Sequence, residues 1–171
     1  FEAQYPKDYT DFTAIGNFAK WVGSTNRANA TGAALAAGYT DVDGVTHTHD
    51  TEAYRLAKFK TEFETHMDME CALHYYVMTF FELATDSRAK NMHLVTWDGI
   101  KFEAWHYDKD TIFGINNEGE KKFEYYHEDT DKLEGANIYN GQESVLWCNF
   151  RDVFPDKIQE KYQNWRKDGK L

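Results

Sequence analysis

Proline and cysteine are both scarce in this chain of 171 residues, which has two of each. The prolines are Pro6 and Pro155, so most of the chain is free to form long helices. Cys71 and Cys148 lie in apolar surroundings, which is typical of buried thiols. Two cysteines cannot make a disulfide framework, so a reducing compartment is favoured.

Basic residues are also few. Nineteen Lys and Arg stand against 29 Asp and Glu, giving a formal net charge of −10. Phosphate binding needs clustered cations, so this balance argues against nucleic acid as a partner. No apolar run reaches the roughly 18 residues of a membrane helix, and no signal peptide is recognisable. We therefore expect a partner that is neither nucleic acid nor membrane.

Apolar and aromatic residues are plentiful, at 42% and 16% of the chain. This composition predicts one globular domain over residues 1–171 with a sizeable core. The first residue is Phe1, so we expect the domain to be a piece of a longer protein.

Apolar spacing predicts an α+β fold that is predominantly helical. Helices are expected at 10–23, from Thr51, at Met69–Leu83, and at 144–154 and 156–167, the last two joined at Pro155. The inner face of the first helix is expected to carry Phe12, Ile15, Phe18, Ala19 and Val22. The inner face of the second is expected to carry Leu56, Phe59 and Phe63. Asp68 is expected to cap the third helix. That helix is apolar nearly all round, which predicts a position at the centre of the domain.

The remaining segments show weaker patterns. Residues 26–37 are small and Ala-rich, and we expect a loop or a weak helix there. Residues 38–50 are expected to form a polar loop or a hairpin around Asp43–Gly44. Asp98–Gly99 between Met92–Trp97 and Ile100–Tyr107 predicts a β-hairpin. Polar residues 116–141 are expected to form a loop region that faces a substrate or a partner, or one that is mobile.

Acidic and amide side chains flank the second hairpin in an order that suits phosphoryl transfer. Asp86 and Asn91 precede it, and Asp108 and Asp110 follow it, with Gly114 close behind. Kinase-type enzymes use an Asp to take the proton of the nucleophile and an Asn and a second Asp to hold Mg²⁺. The hairpin would return the chain so that both sets face one pocket.

Two basic residues in the same loop fit this chemistry. Arg88 and Lys90 follow Asp86 by two and four positions, where they could neutralise a transferring phosphoryl group. The simpler interpretation is that Asp86 and Asn91 are turn residues at a helix end and that Arg88 and Lys90 are solvated.

Three segments together resemble the C-terminal half of CotH-type kinases, a family named for a spore-coat protein. They are Tyr75–Phe81, Asp86–Asn91 and Tyr107–Gly114, and the resemblance covers about residues 51–120. It implies the lower lobe of an atypical protein kinase, which uses ATP and Mg²⁺ or Mn²⁺ to phosphorylate a hydroxyl of a protein substrate. By this resemblance Asp86 is the catalytic base, and Asn91, Asp108 and Asp110 are metal ligands, Asp110 foremost.

The chain departs from the kinase pattern in several places. No Gly-rich nucleotide loop and no strand-borne Lys with a helical Glu partner precede residue 51, so no ATP-binding residue is identified. Ala84–Thr85 stands where kinases usually have His-Arg, and Gly114 follows Asp110 by four positions rather than two.

More loosely, the segments Asp86–Asn91, Gly114–Gly119 and Asn140–Trp147 look like parts of large tailed-phage virion proteins. An alternative function is therefore a catalytically silent virion module, structural or for attachment, that contacts a neighbouring virion protein. We expect localisation in a virion or in the cytoplasm of a host.

Three weaker metal-binding patterns occur in the sequence. Asp41, Asp43 and Glu52 have part of the spacing of a Ca²⁺ loop. The run 47–50 could bind a transition metal, and Glu62, His66 and Glu70 share a helical face that is more typical of salt bridges.

Tyr125, Tyr126 and Trp165 could be exposed anchors for a partner.

Overall fold

A computed structural model describes residues 10–84, 87–88, 91–110, 112–113, 115, 119–120 and 144–170. Five α-helices and two antiparallel two-stranded sheets lie in this part of the chain, which confirms the α+β class. They are α1 (Thr13–Ser24), β1 (Ala34–Thr40), β2 (Thr46–His49), α2 (Glu52–His66), α3 (Met69–Phe81), β3 (Met92–Thr96), β4 (Phe102–His106), α4 (Val145–Val153) and α5 (Pro155–Lys167), with a 3₁₀ turn at Arg27–Asn29.

The chain divides into two compact units. The first contains the residues up to His66 together with Thr96–Phe102, and the second contains Met67–Val95 and the residues from Glu103 onward. Across the described ranges, no helix combines the length and the apolar character that crossing a bilayer demands.

The core of the first unit is aromatic. Trp21 of α1 stacks on Phe59 of α2 with ring centroids 5.3 Å apart, and Phe63 lies 6.3 Å from the same indole. Phe18, one turn before Trp21, packs against Phe102 at 4.8 Å. Phe59 and Phe63 are 0% exposed, which confirms the predicted inner face of α2 at these two residues, whereas Leu56 is half-buried. Burying side chains of this size is the main stabilising contribution in the unit.

The inner face of α1 differs from the prediction. The helix itself is confirmed, but Phe12 and Ala19 are exposed and Trp21 is buried instead. Phe12 lies outside the helix at its N-cap position, so the helical spacing that placed it on the inner face does not apply.

Residues 34–40 form a strand, so the expectation of a loop or a weak helix was wrong for residues 34–37. Tyr39 pairs with His47 and Thr40 with Thr46, which confirms the hairpin around Asp43–Gly44. A polar turn closes it, because the Asp41 carboxylate accepts the backbone N–H of Asp43 and of Val45. Turn chemistry and strand pairing outweigh the high helix propensity of alanine in so short a segment.

A half-buried ion pair connects the end of β2 to α2. Arg55 donates from Nε to Asp50 Oδ1 at 2.8 Å and from a terminal nitrogen to Oδ2 at 2.9 Å, and it also donates to the backbone oxygen of Asn26. The hydrogen bonds from Arg55, with further ones from Thr31, lower the pKa of Asp50 to about 2. This carboxylate is therefore charged in the fold at pH values where a free Asp begins to protonate.

Acid is expected to weaken the first unit through this pair. The pKa of Asp50 is lower in the fold than in the unfolded chain, so its contribution is complete above pH about 4 and is lost as pH falls towards 2. In Asp50→Asn we expect a lower melting temperature at pH 7 and a smaller further decrease between pH 5 and pH 2 than in the parent. Equal acid sensitivity of the two proteins would contradict this assignment.

Helix α3 organises the second unit. Its N-cap is Asp68, as predicted, whose side chain accepts the backbone N–H of Cys71 at 2.8 Å. Tyr75 stacks on Trp147 of α4 at 5.3 Å, and Tyr76 packs against Phe150 at 5.7 Å. The helix is thus buried along one broad face.

Two expectations about the second unit were wrong, although its last two helices are confirmed. Phe80 and Phe81, the last two residues of α3, have 51% and 41% of their surfaces exposed. The helix is therefore not buried on all sides. Trp165 is 8% exposed and belongs to the core instead of a partner surface. Tyr125 and Tyr126, with all of segment 116–141 except Gly119 and Glu120, lie outside the described residues.

Loss of the α3 cap is expected to destabilise the second unit. Asp68→Ala leaves an N–H of the first turn without its partner, at a cost of about 1 kcal/mol in the free energy of unfolding. Asp68→Asn is the matched control, because Asn caps about as well as Asp. Urea denaturation of both variants measures the difference, and equal losses would rule out capping as the role of Asp68.

Candidate functional site

The chain leaves α3 through a constrained turn. Leu83 has φ of 52°, in the left-handed region that a non-glycine residue rarely adopts. The turn is fixed by backbone bonds from Glu82 N to Met78 O at 2.8 Å and from Ala84 N to Thr79 O at 2.9 Å. The loop that follows therefore starts in a defined direction from a buried helix.

A buried tyrosine of α3 holds this loop. The Tyr75 hydroxyl donates to the backbone oxygen of Ser87 and lies 3.4 Å from the backbone oxygen of Asn91. Tyr75 is 0% exposed, and burial raises the pKa of its phenol, so it remains a protonated donor. One side chain thus contacts the loop near both of its ends.

The side chain of Arg88, in the loop itself, also attaches the loop to α3. Its guanidinium lies 4.0 Å over the ring of Tyr76, Nε donates to Thr79 Oγ1 at 3.2 Å, and a terminal nitrogen donates to Tyr76 O at 3.3 Å. The residue is 7% exposed. The guanidinium that we expected beside a transferring phosphoryl group is therefore engaged with α3.

The predicted hairpin after the loop is confirmed. Gly99, at φ of 74°, allows the tight turn, and Asp98 Oδ1 accepts the backbone N–H of Ile100 and of Lys101 at 2.8 Å. The strands β3 and β4 then run back in antiparallel pairing.

The segment after the hairpin returns to the loop after α3. Tyr107 N donates to Asn91 O at 3.3 Å, and Phe113 N donates to Glu82 O at 2.6 Å. Between them, Lys109 Nζ lies 2.5 Å from a carboxylate oxygen of Glu82. The Glu82 side chain is only 10% exposed, which makes this ion pair less screened than a surface pair. Tyr107, Lys109 and Phe113 are therefore connected to Asn91 and to Glu82 at the end of α3.

Three of the six expected site residues lie at this junction. Asn91 is half-buried, whereas Asp108 and Asp110 are exposed. Asp108 has φ of 48°, a left-handed conformation that Asp tolerates better than most residues. Within the described ranges neither carboxylate is engaged in an ion pair, so both can contact a ligand from solvent. Asp86 and Lys90 lie outside the described residues.

No preformed metal cluster of three or more His, Cys, Asp or Glu residues occurs in the described part of the chain. The weaker candidates have other partners: Asp41 accepts from His47 at 2.7 Å, Glu62 pairs with Lys58 at 3.0 Å, and Glu70 pairs with Lys161 at 2.7 Å. The last two agree with the salt-bridge interpretation of that helical face.

Comparisons with known proteins add no relative. No protein-family model matches the chain, and neither a curated protein nor a solved structure is significantly similar to it.

The residues that position the site were not found from the sequence. Tyr75, Glu82 and Lys109 act through contacts between positions 12 to 27 apart in the chain. The spacing rules for helices and strands do not predict contacts between residues so far apart in the chain. The sequence signal for Tyr75 is its place in a strongly apolar helix, which predicts a core position, and Tyr75 is indeed buried.

Removing the Tyr75 hydroxyl is expected to loosen the loop. In Tyr75→Phe the buried oxygen of Ser87 loses its donor, at a cost of about 1–3 kcal/mol. We expect faster hydrogen exchange around Ser87 and Asn91 together with lower stability in urea. Tyr162→Phe on α5, where the ring is 37% exposed, is the control and should change stability by less than about 0.5 kcal/mol. Unchanged exchange at the loop would refute the role of Tyr75.

Proposed function

We propose that the second unit is the lower lobe of a CotH-like atypical kinase, which performs Mg²⁺-dependent phosphoryl transfer from ATP to a protein hydroxyl. Asp86 acts as the base, Asp110 and Asn91 are metal ligands, and Asp108 is a second acid near the metal. The observation that carries the proposal is the return of segment 107–113 to the loop after α3.

The first support is spatial. Asp86 and Asn91 lie 22 and 17 positions before Asp108 in sequence, and a hairpin of suitable length can bring two such segments together. The bonds Tyr107 N to Asn91 O and Phe113 N to Glu82 O place the second acidic segment beside the first loop. Phosphoryl transfer depends mainly on positioning and on charge neutralisation, so such a junction is the essential requirement.

The second support is the type and exposure of the side chains. Mg²⁺ prefers one or two carboxylates and keeps its remaining sites for phosphate oxygens and water. Asp108 and Asp110 are exposed and Asn91 lies at the start of the hairpin, so an ion there would keep open positions for a phosphate. This ligand set matches Mg²⁺ or Mn²⁺ better than a softer metal.

The third support is the rigid base under the loop. The Tyr75 hydroxyl of α3 donates to the loop backbone, and the Arg88 side chain of the loop donates to α3. Glu82, at the end of α3, forms an ion pair with Lys109. A site needs such support because small displacements reduce its function strongly. In this proposal Arg88 is a positioning residue, while Lys90 remains the cation expected near the phosphoryl group.

Exposed aromatic residues favour the alternative, a catalytically silent virion module. Phe80, Phe81 and Phe113 are each more than two-fifths exposed, and Phe81 meets Phe113 edge to face at 6.3 Å. Exposed apolar patches of this kind mark surfaces that contact other proteins. In this alternative the junction is only a scaffold that presents the patch to a neighbouring virion protein.

A thermal-shift titration with Mg²⁺ and Mn²⁺, with and without ATP, is expected to separate the two functions. A bound metal stabilises the fold by about 1.4 kcal/mol at ten times its dissociation constant. We expect this shift in the parent, an increase when ATP is added, and loss of the metal effect in Asp110→Asn.

Asp168→Asn is the control, because Asp168 is an exposed acid whose ion pair with Lys170 spans 3.2 Å. It should respond to metal as the parent does. A parent without any shift, or a shift that Asp110→Asn and Asp168→Asn reduce equally, would contradict the kinase proposal. A shift with metal but none with ATP would favour the silent module.

A further inference from the structure

Both hairpin turns carry the same dipeptide, an Asp followed by a Gly. Asp43–Gly44 lies between β1 and β2, and Asp98–Gly99 lies between β3 and β4. An Asp side chain before glycine can react with its own backbone, because glycine has no Cβ to hinder the approach of its amide nitrogen to the carboxyl carbon. Both turns lie in the first unit, so the chain contains two copies of one reactive dipeptide in different surroundings.

The reaction is an isomerisation through a cyclic imide. The glycine nitrogen attacks the carboxyl carbon of the protonated Asp side chain, a C–N bond forms, and the carboxyl OH leaves with the amide proton as water. Water then adds to one of the two ring carbonyls and breaks a C–N bond. Opening at the former backbone carbonyl leaves the chain running through the side-chain carbon, with one extra methylene in the backbone. One water leaves and one returns, so the reaction requires no oxidant or cofactor.

The Asp98 carboxylate is fixed by several hydrogen bonds. Its Oδ1 accepts the backbone N–H of Ile100 and of Lys101, both at 2.8 Å, and the hydroxyl of Thr96 at 3.1 Å. The same hydroxyl oxygen accepts the N–H of Gly99 at 3.0 Å. The backbone bonds lower the pKa of Asp98, so the protonated form that reacts is scarce. Both the carboxyl group and the attacking nitrogen are therefore held away from each other.

The Asp43 carboxylate is held far less firmly. It forms an ion pair with Lys60 at 2.7 Å, between side chains that are 59% and 40% exposed. Exposed pairs of this kind contribute little, because water screens them and two long side chains must be ordered. The Gly44 N–H donates to the backbone oxygen of Asp41 at 3.0 Å, so the attacking nitrogen is engaged here too. The two turns thus differ mainly in the freedom of the carboxylate.

Isomerisation at Asp43 would act on the contacts between this turn and α2. The backbone N–H of Val42 donates to Thr61 Oγ1 at 2.9 Å, and Asp43 pairs with the preceding residue of α2, Lys60. In the product the free carboxylate is attached directly to Cα, one methylene shorter than the Asp side chain, while the backbone is one methylene longer. The two contacts can then no longer both keep their present geometry.

We propose that Asp43 is a site of isoaspartate formation in the folded protein, and that Asp98, in the same dipeptide, is protected by its turn. The site is independent of the proposed phosphoryl transfer. Its reactant is the chain itself together with water.

Incubation of the folded 171-residue chain in oxygen-18 water near neutral pH, followed by peptide mapping with mass spectrometry, tests the site. Each passage through the imide introduces an oxygen-18 atom, and the isoaspartyl peptide elutes apart from its Asp isomer. We expect label and isomer to accumulate at Asp43 and at least about tenfold less at Asp98, because a hydrogen bond to a charged group contributes at least this factor.

The same chain unfolded in urea is the control for intrinsic reactivity, and there both dipeptides should react at comparable rates. Thr96→Val, which removes the hydroxyl between Asp98 and Gly99, should accelerate the reaction at Asp98 and leave Asp43 unchanged. Circular dichroism checks that this variant is folded, and the comparison of folded and unfolded parent decides alone if it is not. The proposal is overturned if Asp43 reacts in urea but not in the fold, or if Asp43 and Asp98 react equally in the fold. A folded Thr96→Val that leaves Asp98 as slow as in the parent would refute the protection by the turn.

Discussion

The hydrogen bond from the buried Tyr75 hydroxyl to the backbone of the loop after α3 is the interaction on which the candidate site depends. It fixes the loop at Ser87, and Arg88 adds a second attachment through Tyr76 and Thr79. The return segment then has a firm surface to join, through Asn91 and Glu82. Without the hydrogen bond from Tyr75 to Ser87, the contacts at Asn91 and Glu82 would have to order both the loop and the return segment at once, at a large cost in chain entropy.

The same helix serves two separate chemical surfaces. Its C-terminal half supports the oxygen-rich junction near Asp108 and Asp110, while its N-terminal half presents Cys71 and His74 to an open groove that His106 also borders. Tyr75 lies between them, bonded to the loop through its hydroxyl and stacked on His106 through its ring.

Local patterns predicted most of the elements. Within the described ranges, helical spacing predicted the five helices, and Asp-Gly turns located the two hairpins. Prediction failed where tertiary contacts decide the outcome. The Ala-rich segment 34–37 became a strand through pairing with β2, and Trp165 became core through the packing of α5 on α3. For the site, sequence order suggested which acidic segments come together. The ion pair Glu82–Lys109 and the hydrogen bond Tyr75–Ser87 join positions far apart in the chain, so no local sequence pattern predicts them.

The central claim is that the loop after α3 and the segment after the hairpin form one site for a hard metal ion. Paramagnetic line broadening by Mn²⁺ in NMR spectra tests it most directly, because the effect decreases steeply with distance from the ion. At low Mn²⁺ the account predicts selective broadening of the amide signals of Asn91, Asp108 and Asp110, reversed by excess Mg²⁺. Broadening centred elsewhere, or spread evenly over the acidic surface, would contradict it.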